Sequence, residues 1–131
     1  MNRNARVLAA LTAGVLVLAA AMTLSATATA TDFGSRVTIG RAIPLYHGKV
    51  HSPRQSFCEP DRRVVLFQKI PGDDARIGKD TTNAKGKWKV EVPEQALIPG
   101  RKFYAFVRAE HLGNQISCKK ATSKKVTFQG G

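Results

Sequence analysis

The clearest alternation of apolar and polar residues in this chain is "KWKVEV", Lys87 to Val92. Trp88, Val90 and Val92 fall on one side of a period of two, and Lys87, Lys89 and Glu91 on the other. That is the pattern of a strand with one face in a core and one in water. The period recurs along the chain. "RVTIGRA" (Arg36 to Ala42) is a first strand, broken by Pro44, which has no N–H for a ladder. "LYHGKVHS" puts Tyr46, Gly48 and Val50 on one face and His47, Lys49 and His51 on the other. "RRVVLFQKI" (Arg62 to Ile70) and "ARIGKDTT" are the next two. "RKFYAFVRAE" sends Phe103, Ala105 and Val107 to one side, and "ISC" with "SKKVTF" closes the series with Val126 and Phe128 inward.

The segments between are rich in turn residues. "SPRQSFCEPD" reads as a loop with two prolines, "PGDD" and "NAKG" as turns, "PEQALIPG" as a connection and "HLGNQ" as a turn. No helical period of useful length follows the N-terminal apolar run. Seven or eight short strands in about 95 residues predict an all-β domain, an antiparallel sandwich, with a small barrel as the alternative architecture. The expected division is a signal peptide over 1–30, a flexible leader and possible first strand over 31–41, and the β-sandwich over 42–129.

The first thirty residues change the picture of where the chain acts. Arg3 and Arg6 form a short positive region, Val7 to Leu24 is uncharged and apolar, and Ala28-Thr29-Ala30 offers a cleavage site. This is the layout of a signal peptide; the alternative is a membrane anchor, since such a run can just span a bilayer. Secretion, with no stable membrane insertion after cleavage, is the expectation. In an oxidising compartment the pair Cys58 and Cys118 reads as a disulfide, the alternative being two buried free thiols.

The formal net charge is +12, and removing Arg3 and Arg6 leaves +10 on a mature chain of about 100 residues. Such a charge favours anionic partners, or else simply solvates the outer faces of the sheets. The outward Lys87, Lys89, Lys124 and Lys125 are the candidate anion-binding residues.

Catalytic and metal chemistry finds little support. His47 and His51 share one face, but i and i+4 on a strand lie about 13 Å apart, far beyond a shared metal. Lys49 stands between them, and His111 falls in a turn. Asp73 and Asp74 in "PGDDA" lack calcium-loop spacing and read as hairpin-turn residues. No G-x-S-x-G elbow or glycine-rich phosphate loop occurs. "CKKATSKK" and "RKFYAFVR" mix cations with aromatics, but nucleic acid is not the expected partner of an exported chain. No cofactor is expected.

Several motifs stand in order: "YHGKVHS"; Cys58, Arg62, Val64 and Leu66 in C-x3-R-x-V-x-L; Thr82, Gly86 and Trp88 in "TNAKGKW"; "FYAFV"; and Cys118, Ala121, Ser123 and Val126 in C-x2-A-x-S-x2-V. Together, over Ala42 to Phe128, they resemble the carboxypeptidase-regulatory-like, or transthyretin-like, β-sandwich domains of secreted bacterial proteins. The resemblance implies a seven-stranded Greek-key sandwich of transthyretin-like or Ig-like type, a Cys58–Cys118 bridge, and an accessory or adhesion role without catalysis. Within these motifs Gly86 reads as a turn glycine and Thr82 as a residue bonded across that turn. Trp88 reads as the large core residue, and Arg62 as a strand-start residue, paired or exposed. Gly48 reads as a point of close backbone approach or a bulge.

The expected function is that of a secreted, monomeric, non-catalytic binding module for an anionic cell-surface polymer or a partner protein. The alternatives are a transthyretin-related small-molecule carrier or hydrolase with a histidine cleft, and a secreted inhibitor presenting "HSPRQSF".

Overall fold

The computed structural model describes residues 31–130; the expected signal peptide lies outside the described residues. In chain order the elements are β1 (Thr31–Phe33), β2 (Arg36–Val37), β3 (Gly40–Ala42), β4 (Leu45–His51), α1 (Gln55–Cys58), β5 (Arg63–Lys69), β6 (Ala75–Thr81) and β7 (Lys87–Glu91). A single 3-10 turn (Glu94–Ala96) follows, then β8 (Lys102–Val107), β9 (Glu110–Leu112), β10 (Ile116–Cys118), β11 (Ala121–Thr122) and β12 (Val126–Thr127).

Two antiparallel layers form the body. In one, β4 pairs with β7 on one side, and with β2 and β3 in tandem on the other. In the second the order is β6–β5–β8, with β11 and β12 in tandem along the free side of β8. Counting each tandem as one broken strand, this is a seven-stranded all-β sandwich, as the alternation predicts, and not a closed barrel. Val37, Ile39, Tyr46, Val50, Trp88, Val90 and Val92 of the first layer meet Val64, Leu66, Phe103, Ala105, Val107 and Phe128 of the second. Tyr46 and Phe103 stack across the interface with ring centroids 4.6 Å apart. Burying each large side chain of this kind is worth roughly 1.5–3 kcal/mol.

Gly48 shows why one position of β4 carries no side chain. It lies opposite Trp88 on the inner face. A Cβ there would fall 1.9 Å from the Thr38 carbonyl oxygen and 2.9 Å from Trp88 Nε1. The register is the same on both sides of the break at Thr38 and Ile39, from Val37↔Val50 to Gly40↔His47, so the reason is close approach and not an extra residue. Gly48→Ala is expected to destabilise the fold by about 1–3 kcal/mol, because backbone must move to admit the methyl. Urea unfolding followed by Trp88 fluorescence measures this, and a change under about 0.5 kcal/mol would show that the contact relaxes freely.

Three local expectations are corrected. Residues 31–36 are not a free leader: β1 pairs in parallel with β10, which pairs with β9, making a small third sheet. Half-buried Phe33 lies under the Arg54 guanidinium, and its carbonyl accepts from Lys119 N–H. The pairing partner is some 85 residues away, beyond any local pattern. The "SPRQSFCEPD" loop contains the single helical turn α1, which presents Cys58 to Cys118. Thr82 does not bond across its own turn. Its hydroxyl donates to the Glu59 carbonyl at 2.6 Å and accepts the Arg62 N–H at 2.8 Å, while Asn83 Oδ1 closes the turn by accepting from Lys85 and Lys87.

Arg62 stands just before β5 and pairs with Glu110, in keeping with its expectation, but it is also 0% exposed beside the Cys58–Cys118 disulfide and makes several further bonds. Nη1 donates to the Cys58 carbonyl at 2.7 Å and Ser35 Oγ at 3.1 Å. Nη2 donates to the carbonyls of Arg108 at 2.8 Å and Lys119 at 3.0 Å. Glu110 lies 3.7 Å from Nε. Burial lowers the guanidinium pKa, and the Glu110 charge partly offsets that shift. One side chain thus joins the leader, α1, the end of β8 and the segment after β10. Gly86 takes the turn conformation expected of it, at φ +77°.

Candidate functional site

The outer face of the β6–β5–β8 layer carries a group of cations with no ion pair to a carboxylate. The register sets its residues in rows. Arg108, Arg63 and Thr81 lie across the top, Phe106, Val65 and Lys79 across the middle, and Tyr104, Phe67 and Arg76 below. Val65 is only 2% exposed on this outward face, because the stems of its long cationic neighbours cover it. Around it lies a depression of about 340 Å³, lined by Arg63, Val65, Arg76, Lys79, Asp80, Thr81 and Arg108.

Among the described residues, none of Arg63, Arg76, Lys79 and Arg108 has a carboxylate within ion-pairing distance; the pairs that form are Lys49–Glu59, Arg62–Glu110 and Lys69–Asp74. Asp80, the one acidic residue of the lining, accepts the Lys89 N–H at 2.8 Å, toward the neighbouring layer. Arg63 and Arg108 stand on adjacent strands, where directly opposed like charges destabilise a sheet. An anion between such groups relieves that repulsion, and a guanidinium fork suits an oxyanion.

A bulge creates this grouping. Leu66 pairs with Gly78, but Phe67 pairs with Arg76, so Ile77 is an extra residue in β6. On a regular strand Arg76 and Lys79, three positions apart, would face opposite ways. The bulge turns both outward, while Ile77 packs toward the core. Strict alternation hides this; Gly78, a glycine inside a strand pattern, is the one local signal of it. Gly78 also lies against the facing layer, where a Cβ would meet Val90 Cγ1 at 2.6 Å.

Below the depression the face is closed on itself. Phe67 and Tyr104 stack against each other at 5.4 Å, so one ring face of each is occupied by the other. The Tyr104 hydroxyl donates to Asp74, which also lies 3.5 Å from Lys69 Nζ. That hydrogen bond pushes the Tyr104 pKa up to about 12 and draws the Asp74 pKa down.

The four lysines singled out from the sequence are not brought together. Lys87 and Lys89 point outward from β7 in the other layer, opposite Lys49 and His47. Lys124 and Lys125 lie in the link between β11 and β12, and Lys125 contributes to lowering the Asp74 pKa. Alternation settles which way each lysine points but not which layer its strand joins.

His47 and His51 stay apart on the outward face of β4. His47 lies opposite Lys89 and against Gly40, and His51 lies opposite Arg36. His111 is exposed on β9. Among the described residues no three His, Cys, Asp or Glu side chains are grouped as a metal site would require. In the "HSPRQSF" segment Pro53 to Phe57 are exposed, with Arg54 over the rings of Phe33 and Phe57. Also among the described residues, no helix is long and apolar enough to cross a membrane. No family model and no curated protein matches this sequence.

Proposed function

We propose that this chain is an exported, non-catalytic β-sandwich module that binds an anionic cell-surface polymer through the outer face of the β6–β5–β8 layer. The observation that carries the reading is the set of four cations, Arg63, Arg76, Lys79 and Arg108, around one depression with no carboxylate paired to any of them. The charge of +10 outside the first thirty residues would draw such a partner in by long-range attraction. The Cys58–Cys118 bridge fits an oxidising, exported setting. An accessory role is also what the resemblance to secreted sandwich domains implies.

The test is retention of the purified domain on an anionic wall polymer across a salt series. Binding is expected at low salt and should fade as salt rises. Replacing Arg63, Arg76, Lys79 and Arg108 by Gln should weaken it at least about tenfold, since phosphate-type contacts are lost together. Replacing Lys87, Lys89, Lys124 and Lys125 removes the same charge and should cost far less. Equal losses from the two sets would mean that net charge alone binds, and salt-independent retention would rule out an electrostatic contact.

A further inference from the structure

We infer that this face takes a linear polyanion, and not a compact multivalent anion. The inference rests on the reading just given and concerns the shape of its ligand. The cations form an arc. Arg108 and Arg63 are neighbours across one strand spacing, about 5 Å. From Arg63 to Lys79 the arc crosses to β6 and descends two residues, about 8 Å. From Lys79 to Arg76 it follows the bulged strand for about 7 Å. Between backbone positions, the two ends stand two strands and four residues apart, about 16 Å.

The arc also has a side. On its concave edge lie Val65 and half-buried Phe106, with no formal charge. A chain following the cations would rest its uncharged links on Phe106 and on the aliphatic stems that cover Val65. Toward β7 the acidic Asp80 closes the route, and below, Asp74 already neutralises Lys69. Beyond Arg63 and Arg108, Glu110 lines the adjoining recess, so the path offers about four charges, whatever the length of the polymer.

The experiment uses the domain over residues 31–131 with two ligand series of two, four, six and eight charges. One is an abasic phosphodiester chain and the other an oligouronate, which separates phosphate from sugar carboxylate as the source of the chain. Inorganic tripolyphosphate is the compact reference. For at least one series, affinity should climb to four charges and then flatten. The slope of log K against log salt for the phosphodiester should approach −3, at about 0.7 per contact for a single strand. Arg63→Gln or Arg76→Gln should each reduce that slope by about 0.7. A thermal melt on each variant confirms that it is folded. Tripolyphosphate binding as tightly as the four-charge chain, or affinity rising through eight charges without a plateau, would overturn the arc while leaving the basic face standing. No binding of any anion at low salt would overturn both.

Discussion

Arg62→Met is expected to destabilise the domain by about 3–5 kcal/mol, the range for breaking a buried, hydrogen-bonded charge site. For a chain of this size that is a fall in melting temperature of roughly 15–30 °C. The cost arises from the groups left behind. The carbonyls of Cys58, Arg108 and Lys119 and the Ser35 hydroxyl all lose their donor at once. Each buried acceptor left unpaired costs about 1–3 kcal/mol, although rearrangement and water entry recover part of the sum. Arg62→Lys should recover less than half of the loss, since one ammonium cannot reproduce the planar fork that reaches acceptors on four separate segments. Glu110→Gln is expected to cost under about 1 kcal/mol, because its side chain is 38% exposed and the pair is screened by solvent. Urea unfolding of the three variants checks the ranking. A loss under 1 kcal/mol for Arg62→Met, or a Glu110→Gln effect matching it, would show that the carbonyl contacts do not hold this corner together.

Replacing both cysteines by serine should cost about 2–5 kcal/mol. The bridge joins residues 60 apart in sequence, and closing a loop of that length removes about 4 kcal/mol of entropy from the unfolded chain. The effect should also be coupled to Arg62, since two of its carbonyl partners are Cys58 itself and Lys119, the residue after Cys118. Without the bridge both carbonyls are free to swing, so the triple variant should cost less than the sum of its parts by about 0.5–3 kcal/mol. The measurement is a thermodynamic cycle from urea unfolding, with thiol titration beside it. The folded wild-type domain should show no reactive thiol before reduction, since neither Cys58 nor Cys118 is free. Strict additivity would mean that the bridge and the arginine act independently.

Much of the fold was legible from period two alone. In β7 and β8 the inward residues were read correctly, because burial on a strand needs only every second side chain to be apolar. Tyr46 and Val50 were likewise legible as the core face of β4, and Gly48 as a point of close approach. The candidate site was much less legible. Arg63 and Arg108 flank readable strands, but nothing local says that β5 and β8 are neighbours. Arg76 and Lys79 share a face only because of the bulge at Ile77.

From its sequence alone, then, this chain is an all-β protein with identifiable core faces, outward lysines and two cysteines fit to be joined. Tertiary structure decided that Thr31 to Phe33 is a strand and that Arg62 is a buried ligand of carbonyls. It also divided the four lysines between two layers and gathered four other cations around one depression. The physical reason is range. Alternation is a relation between residues one or two positions apart, which a single segment contains. Strand neighbours, and the partners of a buried guanidinium, depend on which distant backbone groups are left without bonds once all the strands have paired.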